Sequence, residues 1–246
     1  VQTCALPILE IPKFIVNLPL VGSAFCVCGF VACFIMAKTS GHLPNWFVTP
    51  PISFLGFMYP EHYVYAIAFT SGAICYQIAF FYIQRYSFMA YGIQFDGFSG
   101  KWLRAATILS LFCPLCLSLQ AIIPLQLDIL DEGAKLTIGS IIHQGSAVVL
   151  FLLTLFHAII VCFFIRHVKD NTYSRSSIVC KRVGEIGMIL SLIASVIFHP
   201  ASNLSGSHMH LTYNIAGVSQ WMFVASMIVF YSSYSTDFRE DRKSVV

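Results

Sequence analysis

In a chain this apolar, the histidines and carboxylates are the first candidates for chemistry. Six of the eight histidines, His42, His62, His143, His199, His208 and His210, lie in or beside the segments that separate long apolar blocks, together with Glu61, Asp128, Asp131 and Glu132. Such a mixture can hold a transition metal or perform acid–base work. The spacing argues against a metal: His208-Met209-His210 lacks a third ligand at a fixed interval, and no His-x-x-x-His occurs. No motif asks for a cofactor, and no basic patch asks for nucleic acid. The residues favour a polar vestibule that reads a lipid headgroup, with Glu61, His62 and His143 as candidate headgroup or acid–base contacts.

His157 stands apart because it lies inside an apolar block. At helical spacing His143, Thr154 and His157 share one stripe, yet the two histidines are about 21 Å apart by helical rise. They share a face but no common ligand. A functional His157 carries a proton or touches a headgroup; a structural one hydrogen-bonds within the core, which is the reading favoured while no partner can be named. Asn214, Gly217, Gln220 and Trp221 recur at helical spacing, as do Gly184, Gly187, Ser191 and Ser195. Small residues at such intervals let helices approach and amides bond between them, so these read as packing seams, with Asn214, Gln220 and Trp221 also candidates for a headgroup. Glu185, beside Lys181 and Arg182, can be satisfied by snorkelling or pairing.

None of the nine cysteines lies in an expected outer loop where a disulfide would persist. Cys113-Pro114-Leu115-Cys116 has redox spacing but sits in an apolar block, so it reads as packing. Cys180 stands where a palmitoyl chain could attach, although a plain interfacial cysteine is the simpler reading.

The elements that position these residues follow from composition. Hydrophobic residues make up 57% of the chain and charged ones 10%, against about 25% charged in an ordinary soluble domain. Six stretches can cross a hydrocarbon core of about 30 Å, which takes roughly 20 helical residues. They run over 14–37, 63–84, 102–125, 138–165, 183–199 and 213–234. The fifth reaches full length only if its helix starts near Cys180. No ten-residue alternating segments suggest a barrel, so the expected fold is all-α, a single six-helix polytopic membrane domain over 14–239.

Orientation follows from the basic residues, which collect on the cytosolic side. With both termini cytosolic, twelve of the fourteen lysines and arginines lie inside, and only Lys38 and Lys135 lie outside. The sequon Asn203-Leu204-Ser205 falls in an outer loop on that topology, which makes Asn203 a glycosylation candidate. The first apolar block is too long for a cleavable signal and lacks a small-residue cleavage site, so it is expected to remain as a signal anchor. Residues 1–8 (VQTCALPI) and 242–246 (RKSVV) resemble read-through rather than native protein and are set aside, so the tails 1–13 and 240–246 are expected to be partly non-native.

The residues also resemble a known family. Leu43-Pro44-Asn45, Pro51-Ile52-Ser53-Phe54-Leu55-Gly56 and Pro60-Glu61-His62-Tyr63-Val64-Tyr65 are similar to the first outer loop of a six-helix superfamily. That superfamily includes the DRAM autophagy modulators, the Golgi post-GPI-attachment-to-proteins factor two and the CWH-like N-terminal domain. The resemblance continues in Ile142-His143-Gln144-Gly145-Ser146-Ala147, in Tyr213-Asn214-Ile215 and Gln220-Trp221, and in Thr236-Asp237-Phe238. The lipid-remodelling branch is the nearer, because it shares the Pro-Asn before the outer-loop Ser-x-x-Gly, the Ile-His and a mid-helix histidine matching His157. It implies work on GPI-anchor lipid in a Golgi-type membrane, with membrane lipid and GPI-anchored proteins as partners. An accessory factor is favoured over an enzyme; acyl transfer on GPI lipid is the reaction if there is one. Both branches tend to carry Glu where this chain has Gln220, so any chemistry of that carboxylate is lost here. A non-enzymatic regulator of the autophagy-modulator type is the alternative, and a transporter is a distant third.

Overall fold

The computed structural model describes residues 12–91, 98–126, 135–167, 174–197 and 207–244. Among them are six α-helices, with no strand: α1 (Lys13–Thr39), α2 (Glu61–Tyr91), α3 (Phe98–Ile122), α4 (Ile138–His167), α5 (Arg175–Ile197) and α6 (Ser207–Ser244). A short 3-10 helix, Ile52–Gly56, lies between α1 and α2. Each expected apolar stretch falls largely on one helix, because lipid offers no partner for a free backbone amide.

Five helices are long and apolar enough to cross a membrane: α1, α2, α3, α4 and α6. The fifth helix starts at Arg175, ahead of Cys180, and so reaches 23 residues. It is less apolar than the apolar stretches of the other five because Arg175, Lys181, Arg182 and Glu185 crowd its first half.

The helices pack in chain order, each against the next, and α6 returns to α1 to close a ring. Close approach depends on small residues. A Cβ on Gly22 of α1 would meet the Gly72 carbonyl of α2 at 3.0 Å, and one on Gly29 would meet Ala68. Between α5 and α6, a Cβ on Gly184 would meet Ser226 and Phe230 at 2.8 Å, and Gly187 faces Ser226. The core runs down the ring axis through Phe30, Phe69, Leu150, Phe223, Phe230 and Tyr231.

One end of the ring, termed the loop end, carries the segment between α1 and α2. Helix α1 stops there in a turn whose Gly41 has φ +70, a left-handed conformation that glycine adopts without a Cβ clash. The His42 amide then bonds back to the Ala37 carbonyl at 3.1 Å, which aims the His42 ring at the start of α2. The opposite, far end brings α6 against α1, where Arg239 donates to Asn17 at 2.9 Å.

Candidate functional site

At the loop end, Glu61 opens α2 and is 0% exposed. Its Oε1 meets His42 Nδ1 at 2.8 Å, while its Oε2 is buried without a hydrogen-bond partner. His62 donates from Nδ1 to the Gly56 carbonyl at 3.0 Å. Across the ring, His143 of α4 is 2% exposed and donates from Nδ1 to the Ile123 carbonyl at 2.7 Å. Its Nε2 is buried without a hydrogen-bond partner. An imidazole that donates from Nδ1 keeps Nε2 as a free acceptor while neutral. The loop end therefore offers an unengaged carboxylate oxygen and an unengaged imidazole nitrogen.

The loop itself is seated on α6. Asn214 Oδ1 accepts from the Val48 and Thr49 amides, both at 2.8 Å, and its Nδ2 donates to the carbonyls of Trp46 and His210. Gln220 Oε1 accepts from the Ile52 amide at 3.0 Å, and Trp221 Nε1 donates to the Pro50 carbonyl at 2.9 Å. Gly217, between them, leaves room for Thr49 and Pro50, which a Cβ there would strike. Lys38 adds a bond from its ammonium to the Phe47 carbonyl at 2.7 Å. Backbone polar groups of an irregular segment need such partners when water is scarce. An amide oxygen at position 220 meets that need as a carboxylate oxygen would.

His157 lies toward the far end and joins none of these residues. Its Nδ1 donates to the Ala106 carbonyl at 2.9 Å, and its Nε2 accepts from the Tyr234 hydroxyl at 2.8 Å. Both nitrogens of a neutral ring are thus occupied. One turn outward on the shared stripe, Thr154 accepts from Tyr231 at 3.2 Å and donates to the Cys113 sulfur at 3.5 Å. Cys113 and Cys116 are free thiols.

Beyond His157 the far end holds a buried cation. Lys181 of α5 is 0% exposed, and its ammonium donates to Ser177 at 2.6 Å, Ser233 at 2.8 Å and Asp237 at 2.5 Å. It also stands 4.4 Å from the centre of the Tyr234 ring, a favourable cation–π distance. Glu185 pairs with Arg166 of α4 at 3.4 Å rather than with its sequence neighbours.

Several expected site residues separate in space. His210 stacks on Trp46, with centroids 4.2 Å apart. Among the described residues no group of three His, Cys, Asp or Glu converges as metal ligands. Asn203, His199, Asp128, Asp131 and Glu132 lie outside the described residues, as does the His208 side chain. Sequence reasoning missed Tyr65, Gln120 and Tyr234, and missed Lys181 and Asp237 as a buried pair. The Gln120 amide inside an apolar block was the available signal, since such groups seldom face lipid.

A family model described as Frag1/DRAM/Sfk1/Cwh43P N-terminal domain matches residues 14–240. The chain belongs to that family. The match takes in both the loop-end seat and the Lys181–Asp237 pair of this Frag1/DRAM/Sfk1/Cwh43P domain. Together with its five apolar helices it makes the protein an integral membrane protein. Among curated proteins and solved structures the Frag1/DRAM/Sfk1/Cwh43P domain of this chain has no match.

Proposed function

We propose that this Frag1/DRAM/Sfk1/Cwh43P family member works in a Golgi-type endomembrane as a factor in GPI-anchor lipid remodelling. The supporting observation is the loop end itself, where Glu61 Oε2 and His143 Nε2 are buried yet unengaged. Buried polar groups of this kind cost free energy until something bonds to them, and a lipid headgroup at the membrane surface supplies both donors and acceptors. The remodelling branch is also the nearer in residue pattern, through Asn45, His143 and His157.

The proposed topology has six spans and cytosolic termini, with the loop end in the lumen. Lys13, Lys101, Arg104, Arg166, Arg182 and Arg239 belong to the far end and Lys38 and Lys135 to the loop end, the bias of a cytosolic far end. Helix α5 serves as a span because Asp237 and Arg166 take up the charges of Lys181 and Glu185. Its outward residues Val183, Ile186, Leu190 and Ile193 are apolar.

The test is rescue. The chain, given a start codon, is expressed in cells lacking the Golgi remodelling factor, and the fatty acids of their GPI-anchored proteins are analysed. Restoration of the remodelled profile is expected. An unchanged profile despite Golgi delivery overturns the proposal, and altered autophagic flux in the same cells transfers support to the autophagy-modulator reading.

A further inference from the structure

A partly open cavity of about 40 Å³ lies inside the helix ring, below the 3-10 helix of the loop segment. Its polar lining comes from Ser53, Tyr65, Gln120 and Gln220, and the remainder is aliphatic and aromatic, including Phe30, Leu150 and Phe151. No lining side chain is charged. His62 and His143 stand roughly one helical turn outward of the lining residues Tyr65 and Ala147, so the cavity continues inward from the loop-end site.

The polar groups retain unused capacity. Gln120 Nε2 donates to the Tyr65 hydroxyl at 2.9 Å, which leaves that phenol its own hydrogen and Gln120 its carbonyl oxygen. Gln220 accepts from the Ile52 amide, which leaves its NH2 as a donor. The wall thus presents donors and an acceptor, all neutral, on an apolar surface. In a membrane interior such groups cost free energy until they are bonded. About 40 Å³ is roughly three times what one water needs. That is room for a small polar group such as a hydroxymethyl or an ester, and not for a whole sugar headgroup. The absence of a charged side chain also leaves a phosphate without a counter-ion.

We propose that this cavity binds the uncharged hydroxyl- or ester-bearing end of a diacylglycerol-type lipid through Tyr65, Gln120 and Gln220. The ligand's carbonyl accepts from Gln220 or Tyr65, its hydroxyl donates to Gln120, and its chain lies along the apolar wall. Gln220 holds the roof at Ile52 and lines the cavity, so occupancy and loop seating share one side chain. The inference deepens the lipid-handling reading and names the part of the lipid that enters.

The experiment uses the full chain in nanodiscs, with a diacylglycerol probe carrying a diazirine near its ester. Wild-type protein is expected to be labelled within 117–120 and 147–151, and a matching phosphatidic acid probe to label those peptides at least about tenfold less, the ratio of a 1.4 kcal/mol preference. Ala147→Phe, which fills the cavity, is expected to abolish the labelling. Should that variant lose its monodisperse elution, Gln120→Leu, which keeps the volume and removes the amide, replaces it with an expected drop of about tenfold. Equal labelling by both probes, or wild-type labelling no stronger than in Ala147→Phe or Gln120→Leu, overturns the proposal. Specific labelling without cellular rescue keeps the lipid site and removes GPI remodelling; rescue without labelling does the reverse.

Discussion

Replacing Lys181 with methionine keeps the apolar stem and deletes the ammonium, so it isolates what the charge does at the far end of the ring. The lost interactions include the ion pair to Asp237, two serine hydrogen bonds and the cation–π contact with Tyr234. The serines retain other partners, Ser233 at the Phe230 carbonyl and Ser177 at the Ser233 carbonyl, so their share is small. What dominates is the loss of the Lys181 ammonium from beside the Asp237 carboxylate. Removing one partner of a buried pair costs about 3–5 kcal/mol, and the 16% exposure of the Asp237 side chain places this case near about 3 kcal/mol. For a chain of this size that corresponds to a fall of roughly 6–12 °C in apparent Tm. Thermal unfolding of detergent-purified protein, followed by size-exclusion elution, reads it. The double variant Lys181→Met with Asp237→Leu removes both charges, and apolar replacement of a buried pair is often neutral. It should recover to within about 1 kcal/mol of the parent, a gain of about 2 kcal/mol over the single variant. A single variant within about 0.5 kcal/mol of wild type, or a double variant no more stable than the single one, refutes the reasoning.

Three further outcomes are expected. Asn214→Ala strips partners from the Val48 and Thr49 amides and should cost about 2–3 kcal/mol, read as faster hydrogen exchange over 46–49; unchanged exchange would remove Asn214 as the seat of the loop. Gln220→Glu should leave exchange at the Ile52 amide unaltered because the acceptor oxygen persists, whereas Gln220→Leu should accelerate it, and equal behaviour of the two would contradict the geometry. Gly184→Leu should separate α5 from α6, since even a Cβ would meet Phe230 at 2.8 Å; disulfide trapping between cysteines introduced on those helices should fail in that variant and succeed in the parent.

The apolar blocks were legible from residue types because each helix repeats its own pattern locally. Partners across the ring were not, since a stripe reveals its face and never the residue opposite. His157 lacked a nameable partner in the sequence because Tyr234 and Ala106 lie on other helices. Glu185 shows the same limit at short range. Lys181 is its neighbour one turn away, but the two side chains diverge, Lys181 to α6 and Glu185 to α4. The family resemblance marked Asn214, Gln220 and Trp221 without saying what they hold, because a loop seated on α6 joins segments more than 160 positions apart.

Helix α6 grips the loop at Asn214 and the buried lysine at Asp237, points about 35 Å apart along one continuous helix. It therefore behaves as a strut fastened at both ends. Sliding it along its axis by even a fraction of a turn would strain both fastenings together.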